Sequence, residues 1–214
     1  MAVNGDTKTT TVQVGAGKPL TRRARLMRSV LIQSAREVFE DVGLTDARVA
    51  DITTRAGKSY GSFYTYFDSK EEIFREVVKQ VSGEMFTATA RSDGGERRPT
   101  DRIEGGIRRY LAAYRANARI LGRIEEVAPY DSYARDLLVG IRTAFSDRNE
   151  SAIRQLQERD IADRELDVSI AASALGGMVE QFARNAFLID SAYDEDKVVS
   201  TLTTLWARAL GVAL

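Results

Sequence analysis

Residues 49–67 read VADITTRAGKSYGSFYTYF, from Val49 to Phe67, and this stretch decides the fold. Val49, Ile52 and Ala56 stand at i, i+3 and i+7, so they line one face of a short helix. Ala56-Gly57 predicts its end, because glycine takes the left-handed conformation that follows a helix C-terminus. Ser59 is then placed to cap a second helix by accepting from a free backbone N–H near Ser62. Phe63 and Phe67, at i and i+4, face inward, which leaves Tyr60, Ser62, Tyr64 and Thr65 on other faces. An outer face of hydroxyls and single aromatic rings, with few charges, is unusual for an idle surface.

On the N-terminal side, Leu31, Ala35, Val38 and Val42, widened by Ile32 and Phe39, predict an amphipathic helix that Gly43 stops. Lys18, Arg22, Arg23, Arg25 and Arg28 form a basic arm without an acid between them, and Met1 to about Leu20 reads as a mobile tail. On the other side, Ser69 and Glu72 have capping-box spacing and open a helix whose apolar face runs through Ile73, Phe74, Val77, Val78, Val81 and Met85. Arg91 to Pro99, RSDGGERRP, reads as a loop. Beyond it the period stays helical. Ile103, Ile107, Tyr110, Leu111, Tyr114 and Leu121 mark one helix that ends before Pro129, with a bend expected around Gly122. Leu137, Leu138, Ile141, Phe145, Ala152 and Leu156 mark the next. Asp167 is a candidate N-cap for Val168 to Ile189, which is apolar or small nearly all round, and Val198 to Leu210 carries a wide apolar stripe. The reading is all-α, with about nine helices: a tail (1–20), a three-helix head (21–67) and a larger helical body (68–214).

The 214 residues contain neither cysteine nor histidine. Disulfides, thiolate or imidazole metal sites, Ser-His-Asp triads and Cys-His nucleophiles are thereby excluded; no catalytic residue, metal ligand or cofactor is expected. The formal charge is 0, yet residues 1–66 hold ten lysines and arginines against six acids, a local +4 balanced by −4 in the remainder. A basic head on an acidic body is compatible with a phosphate backbone, where local charge sets affinity. No apolar run reaches the roughly 18 residues of a membrane span, and the polar N-terminus does not read as a signal peptide, so a cytoplasmic protein is expected.

The stretch from Arg22 to Phe74, with its Ile-containing helix, Ala-Gly turn, Ser-opened second helix, Tyr-x-x-Phe and Ser-Lys-Glu-Glu, resembles the helix-turn-helix of the tetracycline-repressor (TetR) family of bacterial transcriptional regulators. Arg48, Thr53 and Lys58 depart from the usual pattern and bear on individual DNA contacts more than on the fold. The resemblance implies a double-stranded DNA operator as partner. Tyr60 and Ser62, and further Thr65, are the candidate base-edge contacts; Tyr64 and Lys70 are the candidate phosphate contacts; Arg22, Arg23, Arg48 and Ser59 stand beside them. It also implies a homodimer through the last two helices, about 168–190 and 195–210, and a small-molecule effector in a pocket among the middle helices. Met85, Phe86, Tyr110, Tyr114, Phe145, Met178 and Phe182 are candidates to line that pocket, with Glu180, Gln181 or Asn185 supplying polarity to an apolar or amphipathic ligand.

Two other classes compete. A carboxylate enzyme would need acids converging on one face, whereas the adjacent Glu125 and Glu126 point apart. A protein-interaction or membrane-peripheral helical protein accounts for the amphipathic helices but leaves the Ser59 to Lys70 pattern without a cause.

Overall fold

The computed structural model describes residues 21–90, 98–188 and 193–213. The expected tail and most of the Arg91 to Pro99 loop lie outside the described residues, as does Ile189. Eight helices are present among the described residues, one fewer than the periodicity suggests, and no strand. They are α1 (Arg22–Asp46), α2 (Val49–Arg55), α3 (Tyr60–Phe63), α4 (Lys70–Ala90), α5 (Pro99–Val127), α6 (Ser132–Glu158), α7 (Val168–Leu188) and α8 (Glu195–Ala209).

α1 begins at Thr21, whose hydroxyl accepts from the Ala24 N–H at 3.2 Å. Its regular course breaks at Gly43, where φ is 78°, a conformation that side chains with a Cβ rarely adopt. α2 and α3 have only 7 and 4 residues, too short to persist alone, so packing must hold them. Ile52, Phe63 and Phe67 provide it, buried against Leu31, Val38 and Phe39 of α1 and Ile73 and Phe74 of α4. The Phe39 and Phe74 rings meet edge to face at 5.5 Å.

α4 leaves this head and runs into the body, packing on α1, α5 and α6. α5 is the axis of the molecule: it touches α1, α4, α6, α7 and α8, and it passes Gly122 as helix to end at Val127, two residues before Pro129. α6 returns alongside it, opened by Asp131, whose carboxylate accepts from the Ala134 N–H at 2.8 Å. Asp167 caps α7 as its position predicts, accepting from the Ile170 N–H at 2.9 Å. α8 is tied to α7 by the Trp206 indole N–H, which donates to the Leu175 carbonyl at 3.2 Å.

Candidate functional site

The head presents its second helix by a sequence of local bonds. The Arg48 N–H donates to Asp51 Oδ2 at 3.1 Å, closing the first turn of α2. Thr53, where alanine is usual in the resembled pattern, is buried and donates its hydroxyl to the Ala50 carbonyl at 3.0 Å. At the other end Gly57 has φ 63°, the Gly57 N–H reaches Thr54 O at 3.0 Å and the Lys58 N–H reaches Thr53 O at 2.8 Å, a Schellman ending. The expected Ser59 cap is absent. The α3 turn closes instead on the Ser59 carbonyl, which accepts from both the Ser62 N–H (3.0 Å) and the Ser62 hydroxyl (2.7 Å), so the Ser59 side chain is left exposed.

Tyr60 and Tyr64 stand 56% and 48% exposed, large rings that the core does not need. Their hydroxyls lie 3.1 Å apart and their rings 5.5 Å apart, while Tyr64 also rests edge-on against buried Phe63. The bond to Tyr60 raises the Tyr64 phenol above its ordinary value, so it stays a proton donor. Ser62 is half-buried with its proton committed, and Thr65 is exposed. Arg22, Arg23, Arg25, Arg48 and Lys58 are exposed and form no ion pair among the described residues. Arg28 leaves the basic arm, held by Glu76 at 2.9 Å and lying over the Phe67 ring.

Lys70, a candidate phosphate contact, is engaged with backbone. Its ammonium donates to the Leu44, Thr45 and Ala47 carbonyls at 2.6, 3.2 and 3.0 Å, which uses its three protons on the open C-terminal end of α1. Backbone oxygens thus supply partners for this cation. Ser69 and Glu72 do cap α4: Ser69 Oγ accepts from the Glu72 N–H at 3.1 Å, and Glu72 reaches back one residue further than a capping box, to the Asp68 N–H at 2.6 Å.

The body contains a cavity of about 1230 Å³ between α4, α5, α6 and α7. Of the seven expected lining residues, Met85, Tyr110, Tyr114 and Phe145 line it. Phe86, Met178 and Phe182 do not: Phe86 stacks behind Phe145 at 6.2 Å, Phe182 turns to Tyr193 at 5.1 Å, and Met178 packs on the core. Periodicity alone could not separate a wall from the layer behind it. Ile107, Leu121, Ile141 and Val179 extend the apolar wall, and seven arginines and four carboxylates also line it.

Those charges were largely missed. Glu125 lies on the stripe of Tyr110, Tyr114 and Leu121 at helical spacing, a signal that a charged residue faces inward. It pairs with Arg184 at 3.0 Å, while Glu126 turns to Arg123, so the two acids do point apart. Glu180, named as a polar candidate, lines the cavity and pairs with Arg142 at 2.8 Å; Gln181 and Asn185 bond each other on the outside. Burial pushes the Glu125 carboxyl above its ordinary value, against the pull of Arg184. Burial likewise pushes the Tyr110 and Tyr114 phenols far up, so both remain protonated.

Outside the cavity lining, α7 exposes Ile170 (70%) with Ala174, and α8 exposes Leu205 (47%) with Ala209. Among the described residues no group of His, Cys, Asp or Glu could hold a metal ion, and no helix is long and apolar enough to cross a membrane.

Residues 31–77 match the family described as bacterial regulatory proteins, tetR family. The HTH-type transcriptional regulator BetI 1 of Chromohalobacter salexigens is 38% identical over 66 residues, 31% of this chain and 33% of that protein. An HTH-type transcriptional regulator of Bacillus subtilis, YdgC, is 26% identical over 188 residues, 83% of this chain and 89% of its own. The first likeness covers about a third of each chain; the second covers most of both. Among solved structures, the fatty acid degradation regulator FadR of Bacillus halodurans superposes with a TM-score of 0.67 over 92% of this chain and 100% of its own, at 17% identity. A transcriptional regulator FadR of Bacillus subtilis, solved in complex with stearoyl-CoA, superposes with a TM-score of 0.68 over 83% and 96%, at 18% identity. At such identities the shared property is the fold.

Proposed function

We propose that this chain is a member of the TetR family of bacterial regulatory proteins, whose family pattern residues 31–77 match, and a repressor that binds a pseudo-palindromic operator as a homodimer and is released by an amphipathic small molecule. The observation that carries the reading is the exposed, hydroxyl-linked Tyr60–Tyr64 pair on a helix-turn-helix flanked by the unpaired cations Arg22, Arg23 and Arg48. In a major groove, the tyrosines meet base edges, thymine methyls and sugars, Thr65 adds a hydroxyl, and the arginines hold phosphates. One such helix offers few base contacts, each worth roughly 1–3 kcal/mol of discrimination, so two copies are needed for a selective site. The exposed Ile170, Ala174, Leu205 and Ala209 face supports pairing of α7 and α8 with their twofold mates, since small residues permit close approach and apolar ones gain from burial.

The effector belongs in the body cavity. The relative solved with stearoyl-CoA suggests its class: a long acyl chain on an anionic carrier. Met85, Ile107, Leu121, Ile141 and Phe145 suit the chain, and the arginines in excess of the carboxylates suit the anion. Such a ligand acts only by binding one separation of the two heads better than the other.

The test is duplex selection from a randomised pool followed by titration of the selected operator at several salt concentrations. Binding should weaken linearly in the logarithm of salt, and the triple variant Arg22→Ala, Tyr60→Ala, Tyr64→Ala should lose at least about a hundredfold. Unchanged affinity of that variant would remove the proposed surface. Stearoyl-CoA titrated into the complex should release DNA; a complex indifferent to it and to free stearate overturns the effector class alone.

A further inference from the structure

We propose that Arg36 is the positioning residue that sets the angle of the DNA-reading head on the body, and so the operator spacing the protein accepts. Its guanidinium stands where α1, α4 and α5 meet. Nε donates to Glu40 Oε1 at 2.9 Å, Nη1 to Glu84 Oε2 at 3.0 Å, and Nη2 to the Ala116 carbonyl at 3.2 Å and to Asn117 Oδ1 at 3.0 Å. One rigid, planar fork therefore holds three helices, and only a guanidinium offers donors in that geometry.

Its acceptors are themselves fixed. Asn117 is 2% exposed and spends its amide N–H on the Ala113 carbonyl at 2.9 Å, which turns its oxygen toward Arg36. Glu84 is steadied by the Gln80 amide at 2.9 Å. The other ties between α1 and α5 are weaker. Asp41 meets Arg119 at 2.9 Å, but those side chains are 41% and 66% exposed, against 12% for Arg36. Arg123 reaches the Glu40 and Asp41 carbonyls only at 3.4 and 3.5 Å. Exposed pairs contribute little, whereas a largely buried, charge-assisted fork restrains direction as well as distance.

The same residues adjoin the cavity. Met85, next to Glu84 on α4, and Tyr114, one turn before Asn117 on α5, both line it. A ligand that shifts one helix against the other pulls two acceptors of Arg36 apart, and α1 has to follow one of them. This step rests on the reading above that a dimer reads two half-sites.

The experiment compares the wild type with Arg36→Lys, which keeps the charge and loses the fork, and Glu84→Gln, a change at a more exposed partner. Each is titrated with the operator selected by the wild type, with versions carrying one base pair inserted or deleted between half-sites, and with a single half-site duplex; thermal melts report the fold. The wild type should lose about tenfold or more for either change in spacing, on the order of one base contact. Arg36→Lys should flatten that profile to within about threefold while half-site affinity stays unchanged, and Glu84→Gln should flatten it partially. Variants whose affinities all fall by a common factor, with the wild-type profile kept, overturn the proposal. A wild type indifferent to spacing overturns the two-half-site reading and this proposal with it.

Discussion

The head and the body are packed in opposite senses. In the head, helices of 7 and 4 residues close around the buried rings of Phe39, Phe63, Phe67 and Phe74, and Tyr60 and Tyr64 point outward. In the body, helices of 21 to 29 residues border a cavity of about 1230 Å³ lined with arginines and carboxylates. A solid core suits an element that must hold two tyrosines at a constant attitude. A hollow one suits an element that must change when it is filled, because voids forfeit the contacts that would otherwise rigidify it.

The harshest way to break this contrast is to hollow out the head. Phe63→Ala removes a fully buried ring that supports Tyr64 and Phe67, and should destabilise the protein by about 3–5 kcal/mol. DNA binding should vanish with it. Leu121→Ala, against the existing cavity, should cost less than Phe63→Ala and leave operator binding in place. Chemical denaturation of the two variants decides: equal losses would mean that the body core is as tightly determined as the head.

The body's outer face comes next. Glutamate at both Ile170 and Leu205 puts like charges across the proposed twofold contact, at several kcal/mol. Light scattering at micromolar concentration should then find monomers, with operator affinity reduced to that of a half-site. A dimer that survives both changes places its interface elsewhere.

The packing contrast explains what could be read from residues alone. The head's determinants are local: Gly43, Gly57, the Phe63/Phe67 pair and the Ser69/Glu72 cap lie within about thirty positions, and each follows from spacing. The partners of Lys70, the Leu44, Thr45 and Ala47 carbonyls, are 23 to 26 residues away and are backbone, invisible to a side-chain pattern. The cavity is assembled from α4, α5, α6 and α7, with Trp206 of α8. Whether Phe145 or Phe86 forms its wall depends on helix rotation by a fraction of a turn, which apolar periodicity does not resolve. Glu125 was legible in principle, as a charge on an apolar stripe, and so was its pairing need; the identity of Arg184 as partner was not.

Lys70 offers a finer separation of support from contact. Lys70→Ala leaves three carbonyls at the end of α1 without their donor and should cost about 1.5–3 kcal/mol of stability, the range for hydrogen bonds to a charged group. Because the ammonium is committed to backbone, the slope of operator affinity against salt should stay at the wild-type value. Arg22→Ala, with an exposed and unpaired side chain, should do the reverse: no change in stability and a slope smaller by about 0.9. A slope reduced by Lys70→Ala would return this residue to the phosphate surface.

The smallest expected effect tests whether the charges in the cavity are strained. Burial raises the Glu125 carboxyl above its ordinary value of 4.5, and Glu180 adds to the shift, against Arg184 and Arg142. The folded state therefore binds this proton more tightly than the unfolded chain does. Stability is greatest below the ordinary value and falls as pH rises from there through the raised one. Glu125→Gln removes that dependence, so the stability of the variant relative to wild type should climb with pH across this interval and level off above it. The side chain is 24% exposed, and partial screening by water keeps the gain under about 1 kcal/mol. Urea unfolding at intervals from pH 4 to 7 reads it directly. A difference that stays constant with pH would mean that the Arg184 pair fully offsets the burial, and that an anionic ligand entering beside it meets a relaxed wall.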